Sequence, residues 1–370
     1  MKEFSPYYYF VYWLFVMLLT IDKYGMLNAN QSYMVIYRRD NYKPMIWFSV
    51  LFILIFGFRP ISEVYFGDTI NYAYTYGILQ STGVADDFVS WSGDWLFNGI
   101  MFMFSQVVDV YFFFAFVLFF YIVLMFVGCK KLDDMHGATL MLFCIGAFSF
   151  YGYAVNGIRN GVACSIVILA MAGVCKGERI WPIILAFIAI GCHKSTALPL
   201  ACMFFSYFMK NPKLMYIIWG CSFVLSLLFG ETISSIISLI DYDERLSQNI
   251  GDITGNEGEL LTASSFRWDF LIYSIIPMIL GAYTIFKRKI YDNTYLILLG
   301  TYIYANSFWL FVNRTYFSNR YAYLSWFIYP ILLAYPLMRW PVFEKSHSQK
   351  TALILLAHFG FTTVMWMLGK

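Results

Sequence analysis

Long apolar runs separated by short charged clusters make up nearly the whole chain, and their spacing predicts its elements. The most informative run lies between Asp134 and Lys176, where Arg159 is the only formally charged residue. That run is about 40 residues long, twice the roughly 20 that one helix needs to cross a bilayer. It predicts two crossings back to back with a turn near the middle. Lys130 and Lys131 flank one end, Lys176 and Arg179 the other, which puts both ends in the cytoplasm and Arg159 at the opposite, outer rim.

The same reading applied in order predicts a first helix at Tyr7–Thr20 and a cytoplasmic loop carrying Lys23, Arg38, Arg39 and Lys43. Pro44–Phe58 then crosses outward. After the pair around Arg159, Ile180–Cys192, Thr196–Met209 and Leu214–Gly230 alternate. A helix entered through Phe266 ends at Lys287-Arg288-Lys289, Thr294–Val312 crosses out, and Asn319 begins a helix running inward through Met338. Thr351–Leu368 is the last span. Trp95–Val108 is too short to cross and, if it did, the Tyr111–Val127 helix would deliver Lys130 and Lys131 to the wrong side. It therefore reads as a re-entrant or interfacial helix. The sum is an all-α polytopic membrane protein of about twelve transmembrane helices in one domain, residues 1–370. Two loops poor in Lys and Arg, about residues 59–93 and 231–266, are expected outside. The second is expected to carry an amphipathic helix near Ser234–Asn249 on the membrane surface.

Composition agrees: 60% of the 370 residues are hydrophobic and only 13% charged, too few for a soluble chain of this length. The 38 Phe, 30 Tyr and 11 Trp suit lipid-facing surfaces and interfacial belts. The seven Cys sit in or beside apolar runs without C-x-x-C pairs, which excludes a zinc site or disulfide framework as the organising device. The basic residues are dispersed over cytoplasmic loop ends, so nothing points to nucleic acid. No G-x-S-x-G, Walker loop or H-E-x-x-H occurs.

This topology collects Arg59, Arg159, Arg267, Arg314 and Arg320 at external helix ends, with His193, Lys194, Asp68 and Asp269. Basic residues should be scarce on that side. Guanidinium groups are planar forks that bind phosphate bidentately and stay charged, so their convergence suits a diphosphate headgroup held at interface depth. Each also has a plain reading. Arg59 before Pro60 anchors a helix end, His193 is a packing histidine, Asp68 caps a helix starting at Thr69, and Arg267 pairs with Asp269 despite a poor helical spacing. Gly157-x-x-x-Gly161 reads more simply as a packing face than as chemistry.

Gly57-Phe58-Arg59, Gly67-Asp68-Thr69-x-x-Tyr72, Tyr153-x-x-Asn156-Gly157-Ile158-Arg159 and His193-Lys194-Ser195-x-Ala197 follow one another in an order that resembles the EpsG family of Wzy-like polysaccharide polymerases. Phe266-Arg267-Trp268-Asp269-Phe270-x-x-Tyr273-Ser274 and Asn319-Arg320-Tyr321-x-Tyr323 extend the resemblance over about residues 45–335. The chain departs in having Asn160 where Gln often follows the motif Arg, in a longer gap between Arg59 and Asp68, and in a second Asn-Arg pair at Asn313-Arg314.

The resemblance implies a GT-C-like glycosyltransferase of the bacterial inner membrane, independent of metal and cofactor. It would polymerise oligosaccharide repeat units on undecaprenyl diphosphate at the periplasmic face, for O-antigen or a related surface glycan. A chain-length regulator protein is the further partner it raises. In such a transfer the leaving group is a lipid diphosphate, so Arg159 and Arg320 are expected to contact it, with Arg59, Arg267 and Arg314 as further ligands. His193 is the first choice of base and Asp68 the second. Asn156, Asp269, Tyr72, Tyr323 and Lys194 are expected around the substrate. The rivals are a flippase for the same lipid-linked units, which would place polar groups near the bilayer midplane, an O-acyltransferase and a ligase.

Overall fold

The computed structural model describes residues 6–29, 36–84, 93–240, 265–314 and 318–368. Among these, every regular element is a helix. Seven helices are long and apolar enough to cross a membrane: 7–29, 110–132, 158–175, 212–230, 268–287, 318–339 and 347–367. The pair 137–145 and 148–155, bent by 76°, makes an eighth if taken as one broken span. The chain is thus an all-α membrane protein, but the expected count of twelve is not reached. Of the other four expected crossings, α2 (Lys43–Gly57) has 15 residues, α10 (Ile180–Cys192) 13 and α11 (Ala197–Phe208) 12. The helix Asn293–Phe311 is long enough but carries more polar groups and is almost wholly buried. At 1.5 Å per residue, α10 is about 20 Å long against a hydrocarbon thickness of about 30 Å.

The elements before these are α1 (Pro6–Ala29), and those between are α3 (Glu63–Phe66), α4 (Thr69–Thr82), α5 (Trp95–Ser105), α6 (Val110–Leu132), α7 (Gly137–Ile145), α8 (Phe148–Val155) and α9 (Ile158–Cys175). After α11 come α12 (Pro212–Ile240), α13 (Trp268–Ala282), α14 (Asn293–Phe311), α15 (Ser318–Trp326), α16 (Tyr329–Arg339) and α17 (His347–Met367). α9 is the hub, packed between α6 and α10 with most of its length buried. Gly161 lets the end of α8 close onto α9: a Cβ there would stand 2.7 Å from the Tyr153 carbonyl oxygen and 3.3 Å from the Tyr121 ring of α6. This is the packing role read for the Gly157–Gly161 pair.

The short helix expected at Trp95–Val108 forms as α5 over Trp95–Ser105. It starts beside Arg159 and ends against the first turns of α6, where Phe104 meets Phe113 and Phe116. Both ends therefore lie at the same rim, and α5 does not cross. The surface helix expected from Ser234 is corrected over its first residues. Backbone 234–240 continues α12 without a break, and the remainder lies outside the described residues.

The break between α7 and α8 frees backbone carbonyls at membrane depth, where each needs a partner. The first and last helices supply them. Tyr12 of α1 donates to the Ile145 oxygen, and His358 and Thr362 of α17 reach the Phe143 and Gly146 oxygens at 2.9 and 2.8 Å. α1 and α17 are themselves zipped antiparallel, Tyr9 stacking on Trp366 and Trp13 donating to Thr363.

Two polar rims result. One holds Lys23–Asp40, Arg39–Asp134, Lys131–Glu178, Arg288–Glu344 and the buried Asp133–His136 pair. These are the loop ends expected in the cytoplasm. The other holds Arg59, Asp68, Arg159 and His193.

Candidate functional site

Three loops are stitched together at the second rim. Pro60 cannot continue α2, and its predecessor is pushed toward extended backbone, so Arg59 turns inward. Its Nη1 and Nη2 donate to the Phe56 and Val155 carbonyls at 3.0 Å each, and its guanidinium lies 5.0 Å from the Phe114 ring. Arg59 is fully buried, and desolvation draws its pKa down to about 10, which still leaves it charged at neutral pH. The diphosphate role expected of Arg59 is therefore corrected: in this conformation nothing outside can reach it. It is an internal tie between α2 and the turn after α8.

Gly67-Asp68-Thr69 fastens to the same turn. Gly67 ends α3 with φ +55°, and a Cβ there would stand 2.4 Å from Asn156 Oδ1. Only glycine combines that dihedral with that approach. The Asp68 amide donates to Asn156 Oδ1 at 2.8 Å, and Thr69 Oγ1 donates to the Val155 carbonyl at 2.9 Å. Asn156 is thus a structural clasp, and α4 does start at Thr69. The Asp68 side chain, however, makes no capping bond and instead accepts from Asn71.

The clasp sets two side chains. Tyr72, one turn into α4, accepts from Arg159 Nε at 3.0 Å and lies beneath its guanidinium. Arg159, at the first turn of α9, sends Nη1 to Asp94 Oδ2 at 2.8 Å and is 23% exposed. Asp68 lies within electrostatic reach of it.

Asp94 is the residue that sequence reasoning missed. It sits immediately before α5 and is 7% exposed. Besides Arg159 it takes His193 Nδ1 at 3.0 Å and the Lys194 amide at 2.9 Å. Burial alone would raise its pKa, but the hydrogen bond and charge of His193, the charge of Arg159 and the Lys194 amide outweigh that and lower it. Because an ionised carboxylate only accepts, His193 carries its proton on Nδ1 and offers Nε2 to the rim. Trp95 and Leu96 pack against Gly191, where a Cβ would meet either side chain at 2.9 Å, and so hold α5 and Asp94 against the end of α10. The available signal was a single carboxylate at the foot of an apolar helix too short to cross.

The structure therefore brings together Arg159, Tyr72, Asp68, Asn156, His193 and the backbone of Lys194, whose side chain is exposed. A second group stands at the ends of α13, α14 and α15. Arg267 binds Asp269 through two bonds of 2.9 and 2.7 Å and stacks 3.6 Å from the Phe270 ring centre. The spacing poor for a helix works because Arg267 precedes α13 and is not in it. Its amide donates to Asn313 Oδ1 at 2.7 Å. Arg314 lies over Phe266 at 6.0 Å, and Arg320 is exposed on the first turn of α15. Tyr323 links the groups, its ring 5.4 Å from that of Tyr153, whose hydroxyl accepts from Asn160 beside Arg159. Among the described residues no three His, Cys, Asp or Glu side chains come together to hold a metal ion.

No curated protein and no solved structure matches the chain. The model of the EpsG family matches residues 45–369, a stretch that includes both groups of rim residues. With that match running over most of its length, the chain belongs to the EpsG family.

Proposed function

We propose that this protein is a membrane glycosyltransferase that polymerises polyprenyl-diphosphate-linked oligosaccharide repeat units, with a GT-C-like arrangement at the outer face of a bacterial inner membrane. The observation that carries the reading is the cluster Arg159–Asp94–His193, a partly exposed cation and an oriented imidazole sharing one carboxylate at a membrane rim. In the transfer, the bond between the donor's anomeric carbon and its diphosphate oxygen breaks, and a bond from that carbon to an acceptor hydroxyl oxygen forms. The hydroxyl proton passes to His193 Nε2, and the lipid diphosphate leaves as an anion held by Arg159 and, across the Tyr153–Tyr323 contact, by Arg267, Arg314 and Arg320. Fixed guanidinium groups in a partly dehydrated site stabilise such a leaving group without a metal. Asp68 and Lys194 are the further candidates to meet sugar or phosphate oxygens, Tyr323 offers a ring face, and Tyr72 acts through Arg159, whose guanidinium covers its ring.

A flippase would gather its ionisable groups near midplane on broken helices. The α7–α8 break is instead closed by neutral donors, which favours the enzyme. The test is deletion of the protein followed by gel analysis of surface glycan. Loss of the polymerase leaves single capped repeat units. Absence of any outside glycan would support the flippase, and long chains stranded on carrier lipid a ligase.

A further inference from the structure

We infer that Asp94 is a positioning residue whose one carboxylate couples occupancy at Arg159 to the hold on His193; this rests on the polymerase reading above. Asp94 Oδ2 accepts from Arg159 Nη1 at 2.8 Å, Oδ1 accepts from the Lys194 amide at 2.9 Å, and His193 Nδ1 lies between the two oxygens, 3.0 Å from Oδ2 and 3.1 Å from Oδ1. Among the described residues, Asp94 is faced by Arg159 from α9 and by Cys192, His193 and Lys194 from the end of α10, with Tyr72 and Asp68 at the start of α4 on the far side of Arg159.

A diphosphate and Asp94 compete for one guanidinium edge. Without donor, Arg159 is held by Asp94 and Tyr72, and the carboxylate is divided between two cations or donors. When a diphosphate takes Arg159, the carboxylate is left to His193 and the Lys194 amide. His193 stays in the tautomer that offers Nε2, now with its carboxylate undivided. The base keeps its orientation throughout, but only once the leaving group has arrived is it held by a carboxylate that Arg159 no longer shares. A neutral amide at position 94 cannot do this. It releases Arg159 from competition, and it can donate to His193 Nδ1 as well as accept from it, so the tautomer is no longer fixed.

The experiment uses the full chain in lipid nanodiscs, as wild type, Asp94→Asn and Asp94→Glu, with two probes: inorganic pyrophosphate and farnesyl diphosphate. Asp94→Asn is expected to bind farnesyl diphosphate roughly tenfold more tightly while elongation falls by up to about 10⁴, the drop when a histidine's orienting carboxylate becomes an amide. Asp94→Glu is expected to recover part of the elongation. In nitrogen-15 spectra of histidine-labelled protein, with the His193 signal assigned by His193→Gln, the single Nδ1–H tautomer of wild type gives way to a mixture in Asp94→Asn. Tightening toward both probes places recognition in the diphosphate alone, and tightening toward farnesyl diphosphate only adds the lipid; either supports the coupling. Binding lost together with elongation would overturn it, because Asp94 would then merely hold Arg159 in place. An unchanged tautomer or unchanged elongation would overturn it equally. If wild type elongates nothing, the polymerase reading fails, yet the binding and tautomer measurements still decide the role of Asp94.

Discussion

Gly67→Ala is the sharpest test of how the site is held. The substitution adds one carbon at a position with φ +55° where that carbon would stand 2.4 Å from Asn156 Oδ1 and 2.8 Å from its Cγ. Holding an alanine at φ +55° and ψ −118°, outside the wells open to L-residues, costs about 1–3 kcal/mol. If Asn156 swings away, the Asp68 amide loses its acceptor, worth about 1–3 kcal/mol for a half-buried donor left unmet. The sum is roughly 2–6 kcal/mol, concentrated at the turn that aims Arg159 and Tyr72. Purified variant should unfold several degrees below wild type in detergent, and cells carrying it should make glycan shortened by more than any fall in protein abundance accounts for. The decisive measurement is the double variant Gly67→Ala with Asn156→Gly. Removing the clashing side chain should recover at least 1 kcal/mol of the first penalty, a coupling of the kind expected for touching residues. If the two penalties simply add, or if Gly67→Ala behaves as wild type in both assays, the clasp is not what positions the arginine.

Four further outcomes follow from the geometry. Arg159→Ala should abolish chain growth with abundance unchanged on immunoblots, and wild-type glycan lengths would remove Arg159 from the diphosphate site. Arg59→Met should instead lower abundance, because it strips donors from the buried Phe56 and Val155 carbonyls at a cost of about 3 kcal/mol; normal abundance with shortened chains would reverse that assignment. Asp269→Asn should shift Tm little, since an ion pair 35–41% exposed is worth under about 1 kcal/mol, and a large loss of stability would show the pair to be structural. The folded Asp94 has a pKa below its ordinary value of about 3.9. Its stabilising contribution is therefore present above that value and lost as pH falls through the lower, folded one. The Tm advantage of wild type over Asp94→Asn should persist at pH 5 and vanish only below about pH 4, and its disappearance near neutral pH would contradict the lowered pKa.

What could be read from the chain follows from what hydropathy measures. The single charge at Arg159 inside a doubled apolar run located the turn between α8 and α9, because burying a cation in hydrocarbon is costly wherever it lacks a partner. The same argument misjudged Arg59. A position at a helix end beside Pro60 gives no sign of whether the side chain turns out to a ligand or, as here, inward to two carbonyls. Asp94 was passed over because a carboxylate before an apolar helix looks like any loop acid, and its partners lie 65 and 99 residues away. The count of crossings failed for a related reason. α2, α10 and α11 are apolar but short, and alternation of charged loops cannot tell a full span from one that stops early.

Those shortened helices bear on the membrane itself. α10 falls about 10 Å below a typical hydrocarbon thickness, and its exposed Ile180, Trp181, Ile183 and Phe187 must still meet acyl chains. A bilayer relieves such mismatch by thinning locally, at fractions of a kcal/mol per ångström. The lipid around His193 should therefore dimple, bringing the headgroup layer down toward Arg159, and turnover in reconstituted vesicles should rise as the surrounding acyl chains are shortened.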